Sequence, residues 1–341
     1  MLRCCVVGAS GYTGSELVRL LAKHPNFDLS DCFVSAGSQD AHRPITALYP
    51  GLQGHVDLTL QPLDDQRLAL LAQQFDAIFL ATPHEASHDW MPALTAGNAR
   101  VFDLSGAFRL PDTDVFAQHY GFAHQHRALL DTAVYGLAEW HAPRIADSQL
   151  IAVPGCYPTA SLLALKPLAE ANLLSAEQWP VINAVSGVSG AGRKASLNTS
   201  VCEVSLQAYG VLGHRHQPEI AQYLGQPVLF TPHLGNFKRG ILATIAVKLA
   251  SGVTAQQVSD AYQQRYADSP VVRLLDHFPR LDDVVNTPHC DLHWKVDEAS
   301  GHAVLGSAID NLLKGAASQA VQCANLAFQL APTAGLLEVR P

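Results

Sequence analysis

The stretch IAVPGCYPTA, residues 151–160, holds Cys156 between two prolines, Pro154 and Pro158. A thiol becomes a nucleophile as the thiolate, and the positive end of a helix favours that state by lowering the thiol pKa. Pro158 is compatible with a first helical turn, where its missing N–H has no partner to lose. The following TASLLALKPLAEA carries apolar residues at helical spacing. With the short apolar strand QLIAV in front of it, Cys156 is expected at or just before a helix N-terminus. The competing use of such a cysteine is as a small buried apolar residue. A thiol nucleophile also needs a proton acceptor, and the imidazole pKa suits that work near neutrality. GHRHQPEI offers His214 and His216; if the stretch is extended, both point to one face and Arg215 to the other. Pro218 and Glu219 just beyond them suit the start of a helix that would fix their position.

A second chemical signature opens the chain. GASGYTG, with Gly8, Gly11 and Gly14, lies between the apolar run LRCCVV and the helical pattern SELVRLLAKHP. Glycines at a strand-to-helix turn let the backbone approach a pyrophosphate, and the helix N-terminus presents oriented N–H groups to it. Gly8, Ser10, Gly11, Tyr12, Thr13 and Gly14 are therefore candidate cofactor contacts. The G-x-x-G-x-x-G spacing departs from the usual G-x-G-x-x-G. FDLSDCFVS reads as the second strand, and an acidic residue at its end would accept the ribose hydroxyls of NAD. VSAGSQDAHR stands there instead, with Asp40 some way beyond. Ser35 and Ser38 can donate to a 2′-phosphate, with His42 or Arg43 adding charge, which points to NADP. FDAIFLATP, HEASHDWMPALTAG and ARVFDLSG continue the strand–helix alternation of a parallel sheet. Strand ends carry function in such sheets, so Thr82, Asp103 and Ser105 are expected at the cofactor crevice. Arg109 in DLSGAFR is a fork-shaped donor suited to phosphate or carboxylate.

Residues 84–88, HEASH, match the zinc-protease pattern H-E-x-x-H. The pattern directly follows a strand of a dinucleotide-binding sheet, Pro92 interrupts or restarts its helix, and no third ligand stands at a plausible spacing, so no metal is expected. The pairs His124 with His126 and Cys290 with His293 also lack the rest of a zinc set. The 341 residues, 48% of them apolar, suffice for two domains. A net charge of −8 and the lack of basic runs exclude a nucleic-acid partner. The longest apolar stretches, around ten residues, are too short for a membrane span. Seven cysteines without framework spacing and an N-terminus without a signal pattern point to reduced thiols in the cytoplasm. The second half, with WPVINAVSGVSGAGRKAS and PVLFTPHLGNFKRGILATIAVKLA, reads as longer strands with glycine-rich connections in a mixed or antiparallel sheet, closed by the helix DNLLKGAASQAVQCANLAFQL.

The motifs GASGYTG, LATPHE, DLSGAFR, VYGLAEW, IAVPGCYPTA, SGVSGAGRK, GHRHQPEI, TPHLGNFKRGI and DNLLKGAASQAVQ occur in this order over nearly the whole chain. In this the sequence resembles the N-acetyl-gamma-glutamyl-phosphate reductases of arginine biosynthesis, which are related to aspartate-semialdehyde dehydrogenases. The resemblance implies an α/β fold with a Rossmann-like NADP-binding domain, residues 1–155, and an α+β catalytic and oligomerisation domain, residues 156–310, with a C-terminal helix at about 311–330 returning to the first domain. It implies NADPH as cofactor, a cytoplasmic homo-oligomer (a tetramer), and N-acetylglutamyl phosphate as the small-molecule substrate. Cys156 would attack the acyl phosphate and His216, rather than His214, would act as acid–base. Ser186 and Arg193 would contact the substrate, Arg193 as the carboxylate clamp; Arg109 would hold the phosphate group and Asn311 would contact the cofactor. The SAGSQDAHR loop lacks the early Ser-Arg pair common elsewhere in the family, which leaves the 2′-phosphate contacts open. Competing readings are an aspartate-semialdehyde dehydrogenase, a non-catalytic NADP-binding regulator and, last, the zinc protease.

Overall fold

The computed structural model describes residues 1–337, which fall into two compact units: Met1–Gly155 together with the chain from Ala316 onwards, and Cys156–Gly315. The first unit is built on seven strands: β1 Leu2–Val7, β2 Phe27–Ser35, β3 Leu60–Leu63, β4 Ala77–Leu80, β5 Arg100–Asp103, β6 Val134–Tyr135 and β7 Leu150–Ala152. They form one sheet in the order β3-β2-β1-β4-β5-β7-β6 with every pairing parallel. The order reverses direction between β1 and β4, the switch point at which open α/β sheets bind ligands. The CCVV portion of β1, beyond the exposed Arg3, is an unbroken apolar run because the sheet is covered on both faces: Cys4 and Val6 join one buried cluster, Cys5 and Val7 the other.

Helices α1 Tyr12–Leu21, α2 Ile45–Leu48, α3 Asp65–Gln74, α4 His84–Leu94, α5 Thr113–Tyr120, α6 Arg127–Thr132 and α7 Ala138–Ala146 lie between these strands. α4 runs through Pro92 to Leu94 where a break was expected. A proline so close to the C-terminal end removes one backbone bond and leaves the preceding turns intact. The second unit begins with α8, Cys156–Glu170, followed by β8 Val181–Gly187, β9 Gln207–Ala208, α9 His216–Leu224, β10 Leu229–Gly235, β11 Ile241–Lys248, α10 Ala255–Tyr266, β12 Val272–Leu274, β13 Cys290–Asp297 and β14 His302–Ile309. Its sheet, in the order β12-β13-β14-β11-β8-β10-β9, mixes parallel and antiparallel pairs. α8 is almost wholly buried and contains Pro167, which cannot donate to the Leu163 carbonyl. The Tyr266 hydroxyl of α10 donates to that carbonyl at 2.7 Å, so the helix continues with its acceptor satisfied.

The chain leaves β14 through a π-helical turn, Leu313–Ala317, and continues as α11, Ser318–Ala327. α11 is buried within the first unit, where Gln319 Nε2 donates to the Gly136 carbonyl at 2.8 Å and Gln322 Nε2 to Glu139 at 3.0 Å. No helix among the described residues is long and apolar enough to cross a membrane.

Candidate active site

In the first unit the glycine turn follows β1 directly. Gly8 has φ +86, and a Cβ there would lie 2.2 Å from the Ala81 carbonyl oxygen; a Cβ on Gly14 would lie 2.2 Å from the Gly8 carbonyl oxygen. Both positions exclude side chains, so the turn is pressed onto β4 and α1 is pressed onto the turn. Gly11, the residue before α1, offers no side-chain cap to the first N–H groups of Tyr12-Thr13-Gly14. A helix start with uncapped amides behind a bare glycine turn is an anion cradle, and it fits a dinucleotide pyrophosphate. The Ser10 carbonyl accepts from the Tyr49 hydroxyl at 2.8 Å, which holds the turn from the other side.

Ser35 ends β2 exposed, and Ser38 follows in a turn where its Oγ accepts from the Asp40 N–H at 3.2 Å. Arg43 pairs with Asp40 at 3.2 Å, and His42 takes a left-handed φ of +63. The charge near Ser35 and Ser38 is thus an Arg–Asp pair, half-exposed on the arginine side. Thr82 Oγ1 lies 2.7 Å from Ser87 Oγ, while Ser105 donates through its N–H and its hydroxyl to the fully buried Asp103, at 2.9 and 2.8 Å. Burial raises the Asp103 carboxyl from its ordinary value, against the Ser105 bonds and the nearby Arg109. Arg109, only 5% exposed, donates Nε to the Val153 carbonyl at 2.8 Å and Nη2 to the Leu104 carbonyl at 2.7 Å. These contacts tie together the chain ends beyond β5 and β7.

The HEASH histidines are used differently from zinc ligands. His84 Nδ1 accepts from the Gly106 N–H at 2.7 Å. His88 is bonded at Nδ1 to Asp89 at 2.7 Å, and its Nε2 accepts from the Gln125 N–H at 3.0 Å. His88, Asp89 and His126 do place donor atoms within 4.8 Å of one another. The Gln125 bond, however, requires the proton on Nδ1, which is directed to Asp89, so the single in-plane lone pair of His88, on Nε2, is engaged by the Gln125 N–H.

In the second unit α8 begins at Cys156 itself, with Pro158 inside its first turn. Cys156 is half-buried and sits at the positive end of a fifteen-residue helix. The adjoining Tyr157 is buried; its hydroxyl donates to the His233 carbonyl at 3.1 Å and accepts from Tyr209 at 3.2 Å. Burial, followed by the Tyr209 hydroxyl, drives the Tyr157 phenol above its ordinary range, so it is a neutral structural group.

The GHRHQPEI stretch is a turn running into a helix, which replaces the extended geometry expected for it. Arg215 has helical φ and ψ, and α9 starts at His216. His214 Nδ1 accepts from the His216 N–H at 3.1 Å, which brings the two rings to 4.8 Å. A local hydrogen bond at a helix start, not strand alternation, therefore pairs the histidines. His216 is 8% exposed and its ring lies 5.9 Å from that of Tyr157, the residue after Cys156.

The motifs SGVSGAGRK, NFKRGI and DNLLKGA converge on one another. Gly187, at the end of β8, would place a Cβ 2.5 Å from the Arg239 nitrogen, and the Gly187, Val188 and Ser189 N–H groups donate to the Gly240, Phe237 and Lys238 carbonyls. Asn311 is buried between them: its Oδ1 accepts from Gly240 N–H at 2.7 Å and its Nδ2 donates to Ser189 Oγ at 3.0 Å. Ser186 is buried and donates to the Gly187 carbonyl at 3.1 Å, and Arg193 follows on an exposed segment. Sequence reasoning did not single out Asp310, Arg239 or Gly315. Asp310 is fully buried and paired with Arg239, and a Cβ on Gly315 would lie 2.8 Å from Cys156 Cβ. The signal available was a glycine after a lysine inside an otherwise helical pattern.

Comparison with known proteins matches residues 3–148 to the family model described as semialdehyde dehydrogenase, NAD binding domain, and residues 156–311 to semialdehyde dehydrogenase, dimerisation domain. N-acetyl-gamma-glutamyl-phosphate reductase of Pseudoalteromonas atlantica is 62% identical over 337 residues, covering 99% of this chain and 98% of the relative. The protein of that name from Vibrio vulnificus is 55% identical over 338 residues, 99% of this chain and 100% of the relative. Among solved structures, aspartate semialdehyde dehydrogenase II of Vibrio cholerae shares the fold, with a TM-score of 0.72 at 18% identity over 96% of this chain and 98% of that one. Aspartate semialdehyde dehydrogenase of Candida albicans, solved with NADP, gives a TM-score of 0.67 at 13% identity over 96% and 98%. With both halves matched and relatives above half identity along its whole length, the chain belongs to the N-acetyl-gamma-glutamyl-phosphate reductases of the semialdehyde dehydrogenase family.

Proposed function

We propose that the chain is an NADPH-dependent N-acetyl-gamma-glutamyl-phosphate reductase working through a thioester on Cys156. The observation that carries this reading is Cys156 as the first residue of α8, with His216 at the start of the helix packed beside it. The Sγ attacks the acyl carbon of N-acetylglutamyl phosphate, the bond from that carbon to the phosphate oxygen breaks, and phosphate leaves. The amides at the start of α8 stabilise the thiolate before attack and again when the aldehyde departs. His216 takes the thiol proton and manages the proton on the carbonyl oxygen. Arg193 would clamp the substrate carboxylate with Ser186 nearby, and Arg109 would hold the phosphate group.

Gly8, Ser10, Gly11, Tyr12, Thr13 and Gly14 would hold the pyrophosphate of the cofactor, and Ser35 and Ser38 the 2′-phosphate end. Thr82, Ser105 and Asn311 would complete the cofactor contacts. When bound, the reduced nicotinamide supplies the hydride that converts the thioester into the aldehyde. The dimerisation-domain match supports self-association, for which this reading takes a homo-tetramer, and cysteines that carry no framework spacing support a cytoplasmic location.

The test is phosphate-dependent NADP reduction with N-acetylglutamate semialdehyde, repeated with aspartate semialdehyde and with Cys156→Ser. A serine alkoxide is far less accessible at neutral pH, so turnover should fall by about three orders of magnitude or more while NADP binding survives. Near-normal turnover by the serine variant refutes the covalent route, and a preference for aspartate semialdehyde refutes the substrate assignment.

A further inference from the structure

The structure assigns to Gly315 and the π-turn that carries it the role of fixing the position of Cys156, an inference that rests on Cys156 as the nucleophile. Gly315 does not have a left-handed φ, so its lack of a side chain answers to space and not to backbone conformation. A Cβ built on it would stand 2.8 Å from Cys156 Cβ and 3.2 Å from Cys156 Cα, with the Asp310 carbonyl oxygen at 3.3 Å. Two carbons do not approach to 2.8 Å in folded proteins, so Cys156 Cβ is walled on this side by main chain alone. A wall of backbone, unlike a side chain, has no rotamers through which the cysteine could drift.

The wall itself is anchored. Gly315 N–H donates to the Asp310 carbonyl at 2.9 Å, a five-residue bond that makes the turn π-helical. The Asp310 carboxylate, fully buried, accepts from the Leu312 and Leu313 N–H groups through Oδ1 at 2.8 and 3.0 Å. Its Oδ2 accepts from the Asn286 N–H at 2.7 Å and from Arg239 Nε. Asp310 directly follows β14, which is paired on both sides, with β11 and with β13. The rigid centre of the sheet is thereby connected through one carboxylate and one turn to the carbon that bears the thiol. Gly315 and Asp310 are positioning residues: neither touches the reacting atoms, and both act through where Cys156 is held.

Gly315→Ala tests this in the full-length enzyme. Displacing the thiol by a fraction of an ångström to an ångström should lower kcat about 10- to 100-fold, with KM for phosphate changed less than about three-fold. Alkylation of Cys156 by iodoacetamide, followed on the Cys156 peptide across pH, should slow several-fold, a readout that a merely structural role would leave unmoved. Overpacking should lower Tm by about 4–8 °C in a domain of this size. Cys156→Gly removes the clashing Cβ, so the double variant Cys156→Gly/Gly315→Ala should recover most of that Tm relative to Cys156→Gly alone. If Gly315→Ala alone fails to fold, folding of the double variant supports the contact and its failure to fold overturns it. A kcat within two-fold of wild type, or no recovery of Tm in the double variant, also overturns the proposal. Full turnover by Cys156→Ser would instead remove the nucleophile reading, while the Tm cycle would still report the contact, so the two failures are distinguishable.

Discussion

His216→Asn and His214→Asn test the proposal that His216 carries the proton and His214 seats it. The His214 ring accepts the His216 N–H at 3.1 Å through Nδ1, and His216 opens α9 with no side-chain cap from Arg215. An asparagine at 214 places its Oδ1 close to where Nδ1 lies, so the acceptor is kept; a leucine removes it. Losing a bond of this kind at a helix start costs about 1 kcal/mol, or about 2–4 °C in Tm for a unit of this size. If that whole cost reached the transition state as misplacement of His216, kcat would fall about five-fold. Loss of the acid–base group itself costs about 100-fold or more. The expected order of kcat is therefore wild type, His214→Asn close behind, His214→Leu about five-fold down, and His216→Asn about 100-fold down. The assay is initial-rate NADP reduction with each variant, with Tm and NADP affinity measured so that the loss is assigned to chemistry. A dead His214→Asn beside a mild His216→Asn would refute the reasoning and reverse the roles.

Gly8→Ala should raise Kd for NADP at least ten-fold and lower Tm, because the added Cβ would meet the Ala81 carbonyl at 2.2 Å with φ at +86; unchanged cofactor titration would show that the turn is not the pyrophosphate cradle. The ratio of kcat/KM for NADPH over NADH should exceed ten-fold, since no carboxylate ends β2 and the next one along the chain, Asp40, is paired with Arg43; a ratio at or below one refutes the preference. His124 is held down to about 4, first by burial and then by His88, so the folded state favours its neutral ring. The unfolded chain then binds the extra proton, and stability should fall as pH drops from 6.5 towards 4 by about 1 kcal/mol, a figure that allows for solvent screening of the ring. Urea unfolding of wild type and His124→Gln at pH 7 and pH 5 measures it; an equal loss in both removes His124 as the cause.

The parallel sheet of the first unit was legible in the sequence because its strands are buried on both faces: CCVV in β1 and AIFL in β4 are continuous apolar runs, each followed by a turn and a helical pattern. The mixed second sheet was legible in the same way, through long strands with glycine-rich joints. Cys156 at the opening of a helix was readable because proline geometry and helical spacing are local properties. What the sequence could not supply was which distant segments meet. Strand alternation places His214 and His216 on one face for one reason, whereas the fold pairs them through a turn and a bond from the His216 N–H. HEASH has the spacing of zinc ligands, yet His84 and His88 bond to main-chain N–H groups of two different later segments, Gly106 and Gln125. Asp310 and Arg239 show no pattern along the chain, and Gly315 only a glycine within a helical pattern, since their meaning lies in a carboxylate filled by four donors and in a 2.8 Å approach to Cys156. Periodicity and turn chemistry act over a few residues and are written along the chain. Close packing acts between residues more than a hundred positions apart, and only the folded chain brings those together.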